Sequence, residues 1–285
     1  MTNQTPYQKD GRFLVSKVTA SMNLKETVKR AIDLIGGLEK VIRHDDVVTI
    51  KPNLNTSDPY PASSDPEFIK TLGELVLDAG ASKIKIMESS MFRTSTRKVA
   101  EEANLISIVD DLDAELILLD EHKWMKVNIP KGKYLRSVSI GEPIKDMGKL
   151  ILAPCLKTHF LARYTGSMKL FVGWMRPKDR MRLHMRNLEP KIADLASYFS
   201  PNLIVMDART CFVTGGPASG ECSNQNLVLA SGDMVSIDVE GVKILQSCSA
   251  QNKLGMDVWE IPQIKRAVEI GIGAKGENDI QIVQE

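Results

Sequence analysis

Five apolar runs of the sequence each give way to a side chain that can ionise or hydrogen-bond strongly. "VVTI" leads into Lys51-Pro52-Asn53, "IKIM" into Glu88-Ser89-Ser90 and "LILAPCL" into Lys157-Thr158-His159. "LIVM" leads into Asp207, and "LVLAS" into Asp233. Short apolar runs rich in β-branched residues and bounded by polar ones read as strands buried on both faces. If these strands are parallel, all five groups emerge at one carboxyl edge, where open α/β sheets place their ligands. One polar strand exit is routine, but five point to a shared site.

The chemistry expected there is that of an anion. A lysine at a strand end can set its ammonium in a crevice, where a bound anion offsets the cost of desolvation. Thr165-Gly166-Ser167, opening a helix, would add a hydroxyl and free backbone N–H groups that favour phosphate or carboxylate. Lys169 follows one turn in. Lys51, Lys157 and Lys169 thus form an anion cradle, with Asn53, Ser89 and Thr158 beside them at the same exits. It is not a Walker A loop, which needs G-x-x-x-x-G-K-[ST].

His159 and His184 are the candidate proton carriers, because imidazole titrates nearest neutrality. His44 and His122 sit in polar, turn-like sequence and are set aside. Glu88, Asp207, Asp233 and Asp238 could orient a histidine, hold a divalent cation or cap helices, capping being the commoner fate of an Asp233 that precedes a helix. In "VTGGPASGE", Gly215 and Gly216 permit positive φ and close backbone approach to a ligand. His159, His184 and Lys169 are accordingly the catalytic candidates, and isomerase- or lyase-type proton transfer on a phosphorylated or carboxylated small molecule is the favoured reaction. The alternatives are a non-catalytic protein that holds a metal or cofactor, and a module that docks an acidic partner.

Composition narrows the field. The chain has 285 residues, 43% hydrophobic and 26% charged, with a net charge of +1, so it can bury a sizeable core. "MTNQTPYQKDGRF" contains no apolar leader and no stretch reaches membrane-spanning length, which leads us to expect a cytoplasmic protein. The near-neutral total hides one asymmetry: between Lys157 and Arg186 eight basic residues face one acid, Asp179. Such a block implies an anionic ligand or partner, or a contact between subunits of a homo-oligomer. Aromatics make up 5% and do not alternate with the basic residues, which argues against stacking on nucleic-acid bases. Cys155, Cys211, Cys222 and Cys248 form no C-x-x-C pair, so ferredoxin-type iron–sulfur and zinc-ribbon spacings are absent, and they read as small core residues.

These groups need a scaffold, and strand-like runs alternating with helix-like ones supply it. Strands are expected at 47–54, 83–89, 149–157, 202–209 and 226–233. The clearest helix is "SSDPEFIKTLGELVLDAG", capped by Ser64 or Asp65, with Pro66 in its first turn and Gly80 ending it. Further helices are expected at 24–35, from Pro190 to Phe199, at 234–247 and at 260–270. The alternating segment 121–146 reads as an inserted ribbon, which either decorates one domain of 1–285 or joins two lobes of about 1–120 and 147–285. Alternation of this kind argues for an α/β fold with a largely parallel sheet and helices on both faces.

On the same residues the sequence resembles the family known as domain of unknown function 362. The resemblance is carried by Lys51-Pro52-Asn53, Ser64-Asp65-Pro66, Lys157-Thr158-His159, Thr165-Gly166 with Lys169, His184, Asp194-Leu195, and Gly215-Gly216-Pro217 with Gly220. It runs from about residue 45 to 250. Fusion of some members to ferredoxin modules implies redox or metal-related roles, but the cysteine ladder of such a module is missing here. Leu170 replaces the usual Asn after the lysine, and Glu88 a common Asp. The segment "THFLARYTGSMK" is also similar, more distantly, to the nickel-pincer lactate racemase family. That likeness would imply a nucleotide-derived cofactor and acid/base or hydride chemistry on a small hydroxy acid.

Overall fold

The computed structural model describes residues 5–284. β1 (Gln8–Lys9), β2 (Arg12–Thr19) and helix α1 (Leu24–Leu34) come first, followed by β3 (Val47–Lys51), α2 (Pro66–Asp78) and β4 (Lys83–Glu88). α3 (Thr96–Glu102), α4 (Leu105–Asp111) and β5 (Glu115–Leu118) complete the first run. The expected ribbon is an antiparallel pair, β6 (Trp124–Asn128) and β7 (Ser137–Gly141). Next come β8 (Lys149–Leu152), a hairpin of β9 (Lys157–His159) and β10 (Arg163–Thr165), and helices α5 (Ser167–Leu170), α6 (Pro177–Met185) and α7 (Leu188–Ala196). β11 (Leu203–Phe212), β12 (Cys222–Ser231), α8 (Met234–Ser247), α9 (Pro262–Glu269) and β13 (Ile280–Gln284) close the chain.

Nine strands form one mixed sheet in the order β1-β2-β12-β11-β8-β3-β4-β5, with β13 added in parallel to β2. From β11 to β5 every neighbour is parallel. The strands there are buried on both faces: Leu150 and Leu152 of β8 enter one core, and Ile151 with Ala153 the other. Helices α1 to α4 pack over the second core, while α5 to α9 pack over the first. Helices on both faces of a mostly parallel sheet make this an α/β fold.

Local chemistry explains the element ends. In α2 the Asp65 carboxylate accepts the Glu67 N–H at 3.0 Å, Pro66 occupies the first turn, and Phe68, Ile69, Leu72, Leu75 and Val76 are buried. Gly80 follows its end at a φ of 100°. Ser64, the other capping candidate, instead accepts the Asn53 N–H at 2.8 Å and so ties the loop after β3 to the start of α2.

Two expectations need correcting. β12 runs antiparallel to both β11 and β2, so its exit lies at the opposite edge of the sheet from those of β3, β4 and β8. Asp233 therefore caps α8 there, accepting the Ser236 N–H at 2.8 Å and the Ala274 N–H at 3.2 Å. The run 149–157 is not one strand either, because Ala153-Pro154-Cys155-Leu156 carries the chain out of the sheet before β9 begins. All four cysteines are free; Cys155 and Cys211 are buried as expected, while Cys222 is exposed and Cys248 half-buried. Among the described residues no helix is long and apolar enough to cross a membrane.

Candidate functional site

Beyond the carboxyl edge of β3 and β4, the β9–β10 hairpin, α5, α6 and the loop after β11 enclose a cavity of about 520 Å³. That volume suits a small-molecule ligand. Asn53 comes from the exit of β3, Glu88 and Ser89 from β4, and Lys157 and His159 from β9. Thr165 and Lys169 form one wall, Arg180 and His184 of α6 another, and Pro217 and Ala218 a lip. The mouth is apolar: Met91, Phe160, Leu161 and Met181 line it and are each exposed over roughly half their surface.

The lysines of the expected cradle have three different fates. Lys51 does not line the cavity. Its ammonium is fully buried beneath the Trp174 ring and meets the Glu88 carboxylate at 2.5 Å and the Pro52 carbonyl at 3.1 Å. Burial pulls its pKa down and Glu88 opposes that pull. Lys157 does reach the cavity, yet its ammonium donates to the carbonyls of Pro61 and Ala62, at 2.8 and 2.9 Å. Lys169 alone of the three makes no hydrogen bond or ion pair within the described residues. Burial, with Lys157 and Arg180 nearby, lowers its pKa from 10.5 to about 7. Beside it, the buried Thr165 hydroxyl also has no partner.

The helix N-terminus expected to receive an anion is already filled. The Asp238 carboxylate of α8 accepts the N–H groups of Ser167 and Met168, at 2.6 and 3.3 Å. A Cβ at Gly166 would come within 2.5 Å of that carboxylate, so glycine is what admits it. Asp238 also accepts the Tyr164 hydroxyl at 3.2 Å, and burial raises its pKa to about 6. Its role is to anchor the turn that carries Lys169.

The two histidines face the cavity in opposite tautomers. His159 Nδ1 accepts the N–H groups of Leu161 and Ala162, each at 3.1 Å, which closes the β9–β10 turn and leaves the proton on Nε2. Burial, with Lys169, His184 and Lys157 close by, lowers its pKa to about 2. His159, one of the two candidate proton carriers, is therefore neutral at physiological pH and turns an Nε2–H donor towards the cavity. His184 Nδ1 lies 2.6 Å from the Arg180 carbonyl, which can only accept. Its proton is thus on Nδ1, and Nε2 keeps a lone pair. Burial lowers its pKa as well.

Other candidates support the cavity from outside it. The Thr158 hydroxyl donates to the Phe212 carbonyl at 3.1 Å. Asp207 binds Arg209 and accepts the Tyr60 hydroxyl at 2.8 Å, holding the loop that presents Pro61 and Ala62 to Lys157. Gly215 and Gly216 have φ of 64° and 66°, and a Cβ on Gly216 would lie 1.9 Å from the Thr158 carbonyl. They press the lip onto β9 rather than touch the cavity. Arg180 was counted only as one charge of the basic block. Its guanidinium binds the carbonyls of Ser90, Ser89, Gly173 and Met175 at 2.7–3.0 Å, stitching the β4 exit to α6. Of that block, Arg163 pairs with Glu189 and Arg176 with Asp179, leaving only Lys178, Arg182 and Arg186 exposed. The block is mostly an inward-facing or paired set of charges, not a docking stripe.

Comparison with known proteins places the chain in a family. The thylakoid-associated protein sll1697 of Synechocystis sp. is 22% identical over 284 residues, spanning 88% of this chain and 87% of that protein. The structure of the lactate racemase apoprotein from Thermoanaerobacterium thermosaccharolyticum superposes with a TM-score of 0.48 at 13% identity. The match covers 82% of this chain but only 57% of that one. A family model described as domain of unknown function (DUF362) matches residues 48–243, a span that holds every group lining the cavity. The chain belongs to the domain of unknown function 362 family.

Proposed function

We propose that the protein is an enzyme that binds a small carboxylated or phosphorylated molecule in this cavity and moves a proton on it. The observation that carries the reading is Lys169: a lysine without a counter-ion, on the wall of a ligand-sized cavity, facing two neutral imidazoles. Its ammonium form would bind the anionic group, with the unpartnered Thr165 hydroxyl beside it. His184 Nε2 would accept the proton, and His159 Nε2–H would donate a hydrogen bond to the oxygen on which negative charge develops. The apolar mouth would cover the rest of the ligand and exclude water. A metal-holding role has less behind it, since among the described residues no group of three His, Cys, Asp or Glu side chains could hold a metal ion.

The test is a thermal-shift screen of 2-hydroxy acids, 2-oxo acids, sugar phosphates and nucleotides, followed by proton exchange. Each stabilising compound is incubated with protein in deuterated water, and exchange of its C–H groups is followed by NMR. We expect binding that weakens with salt, and deuterium uptake that disappears in His184→Gln while binding persists. Equal uptake in wild type and His184→Gln, or no stabilising anion in any class, would sink the reading.

A further inference from the structure

The amine of Lys169 is placed differently from every other lysine near the site. Lys51 is locked to Glu88, and Lys157 is locked to two carbonyls. A lysine that serves only as a charge gains from such partners. Lys169 has none among the described residues, and its neighbours in the cavity wall are the cations Lys157 and Arg180. An amine among cations and apolar walls is driven towards its neutral form, which has a lone pair to share. The groups around it can also do the proton work that the lone pair needs: His184 offers a bare Nε2, and His159 offers an N–H whose orientation two backbone amides fix.

We propose that Lys169 is a covalent catalytic residue, forming an imine with a carbonyl-bearing acid, such as a 2-oxo carboxylate or an aldehyde phosphate, bound in the cavity. This deepens the function proposed above and rests on it: the ammonium form of Lys169 draws the anion in, and the neutral form, equally populated near pH 7, is the one that reacts. The Nζ lone pair adds to the carbonyl carbon, and His159 Nε2–H hydrogen-bonds the oxygen as it gains charge. The nitrogen gives a proton to His184 Nε2 and the oxygen takes one from solvent at the cavity mouth, which leaves a neutral carbinolamine beside a protonated His184. The hydroxyl then departs as water with a proton returned by His184, and the C=N bond forms. One carbonyl, one amine and one solvent proton become one protonated imine and one water, so neither an oxidant nor a reductant is required. The protonated imine withdraws electrons from the adjacent carbon, which makes loss of its proton easier and joins the step to the proton transfer already assigned to this site. Lys157 and Arg180, fixed by backbone carbonyls, supply the positive field that attracts the acid group without competing for the carbonyl.

The experiment is reductive trapping. The intact protein is incubated at neutral pH with glyoxylate and, separately, with pyruvate, in the presence of sodium cyanoborohydride, and the modified lysines are mapped by peptide mass spectrometry. At pH 7 an amine with a pKa of about 7 is half neutral. An unperturbed lysine is neutral in only about one molecule in three thousand. Labelling of Lys169 should therefore exceed that of exposed lysines such as Lys178 by at least about tenfold, even after allowance for the lower nucleophilicity of a weaker base. Inorganic phosphate should slow it, and Lys169→Arg, which keeps the charge but cannot form an imine, should abolish it. Labelling spread over exposed lysines, with Lys169 unmodified or no faster than they are, would overturn the proposal. Stabilisation by anions that persists in that case would leave Lys169 as a charge only and the proposed function intact. Absence of both labelling and anion binding would remove the two together.

Discussion

Replacing Lys169 by methionine should make the protein more stable, and the size of the gain follows from the cavity. The ammonium has no counter-ion within the described residues and lies beside Lys157 and Arg180. Its pKa falls from the ordinary 10.5 to about 7, so below pH 7 the folded chain holds a proton that the unfolded chain binds far more tightly. At 1.36 kcal/mol per pH unit, that difference makes folding costlier by about 5 kcal/mol. The amine borders an open cavity where water screens it, so about 1–3 kcal/mol is the expected gain at about pH 6. The penalty is complete below the folded pKa and is relieved as pH rises from about 7 towards 10.5. The gap between Lys169→Met and wild type should accordingly shrink by roughly half between about pH 6 and pH 9. Urea unfolding followed by tryptophan fluorescence at both pH values measures it, and comparing the two proteins cancels every other titration. A destabilised variant, or a gap independent of pH, would show that Lys169 is not held as a desolvated cation.

Two further outcomes test the site's framework. Glu88→Ala leaves the buried Lys51 ammonium without its carboxylate and should cost about 3–5 kcal/mol in urea unfolding, whereas an unchanged midpoint would show that the pair contributes nothing. The His159 ring should show no titration by NMR between about pH 5 and pH 8, and a midpoint near 6.5 would refute its assignment as a fixed neutral donor. Because that folded pKa lies below the ordinary 6.5, the stability His159 contributes is present above about pH 6.5 and declines as pH falls below it.

The site was legible wherever strand direction and strand end sufficed. The exits of β3 and β4 sit where an apolar run meets a polar residue, and the parallel part of the sheet brings them to one edge, while Lys157 and His159 reach the cavity from the separate β9–β10 hairpin. Direction itself is not written in a strand: "NLVLAS" reads alike in either sense, and only the antiparallel pairing of β12 carries Asp233 to the far edge. Pairing is equally silent. Nothing in "KPN" says that Glu88 will claim Lys51, and nothing in "TGSMK" says that Asp238, far along the chain, will occupy the helix terminus. The helices at 24–35 and 234–247 and the α2 cap were readable because propensity, cap and apolar stripe agree there. β5 and β13 carried no such agreement, being short and mixed with polar residues, and their place is set by the strands they join. Arg180 could have been found only by asking which basic residue of the block falls on the buried face of α6.

The placement of β2 has a consequence for how the chain comes into being. β2 lies near the start of the sequence, yet apart from the two-residue β1 its neighbours are β12 and β13; Ser16 and Ala230, bonded across that seam, are 214 positions apart. At about 5–20 residues per second, a ribosome takes roughly ten to forty seconds to deliver the partner strand. Throughout that interval Leu14, Val15 and Val18, all buried in the finished sheet, belong to a strand that only β1 can pair, with the ladders to β12 and β13 both empty. The β3–β4–β5 unit with α2 to α4 can assemble on the nascent chain meanwhile, since its contacts are local. The waiting strand is a natural client for a chaperone, and the time before residue 231 emerges is when overproduction would divert this protein into aggregates.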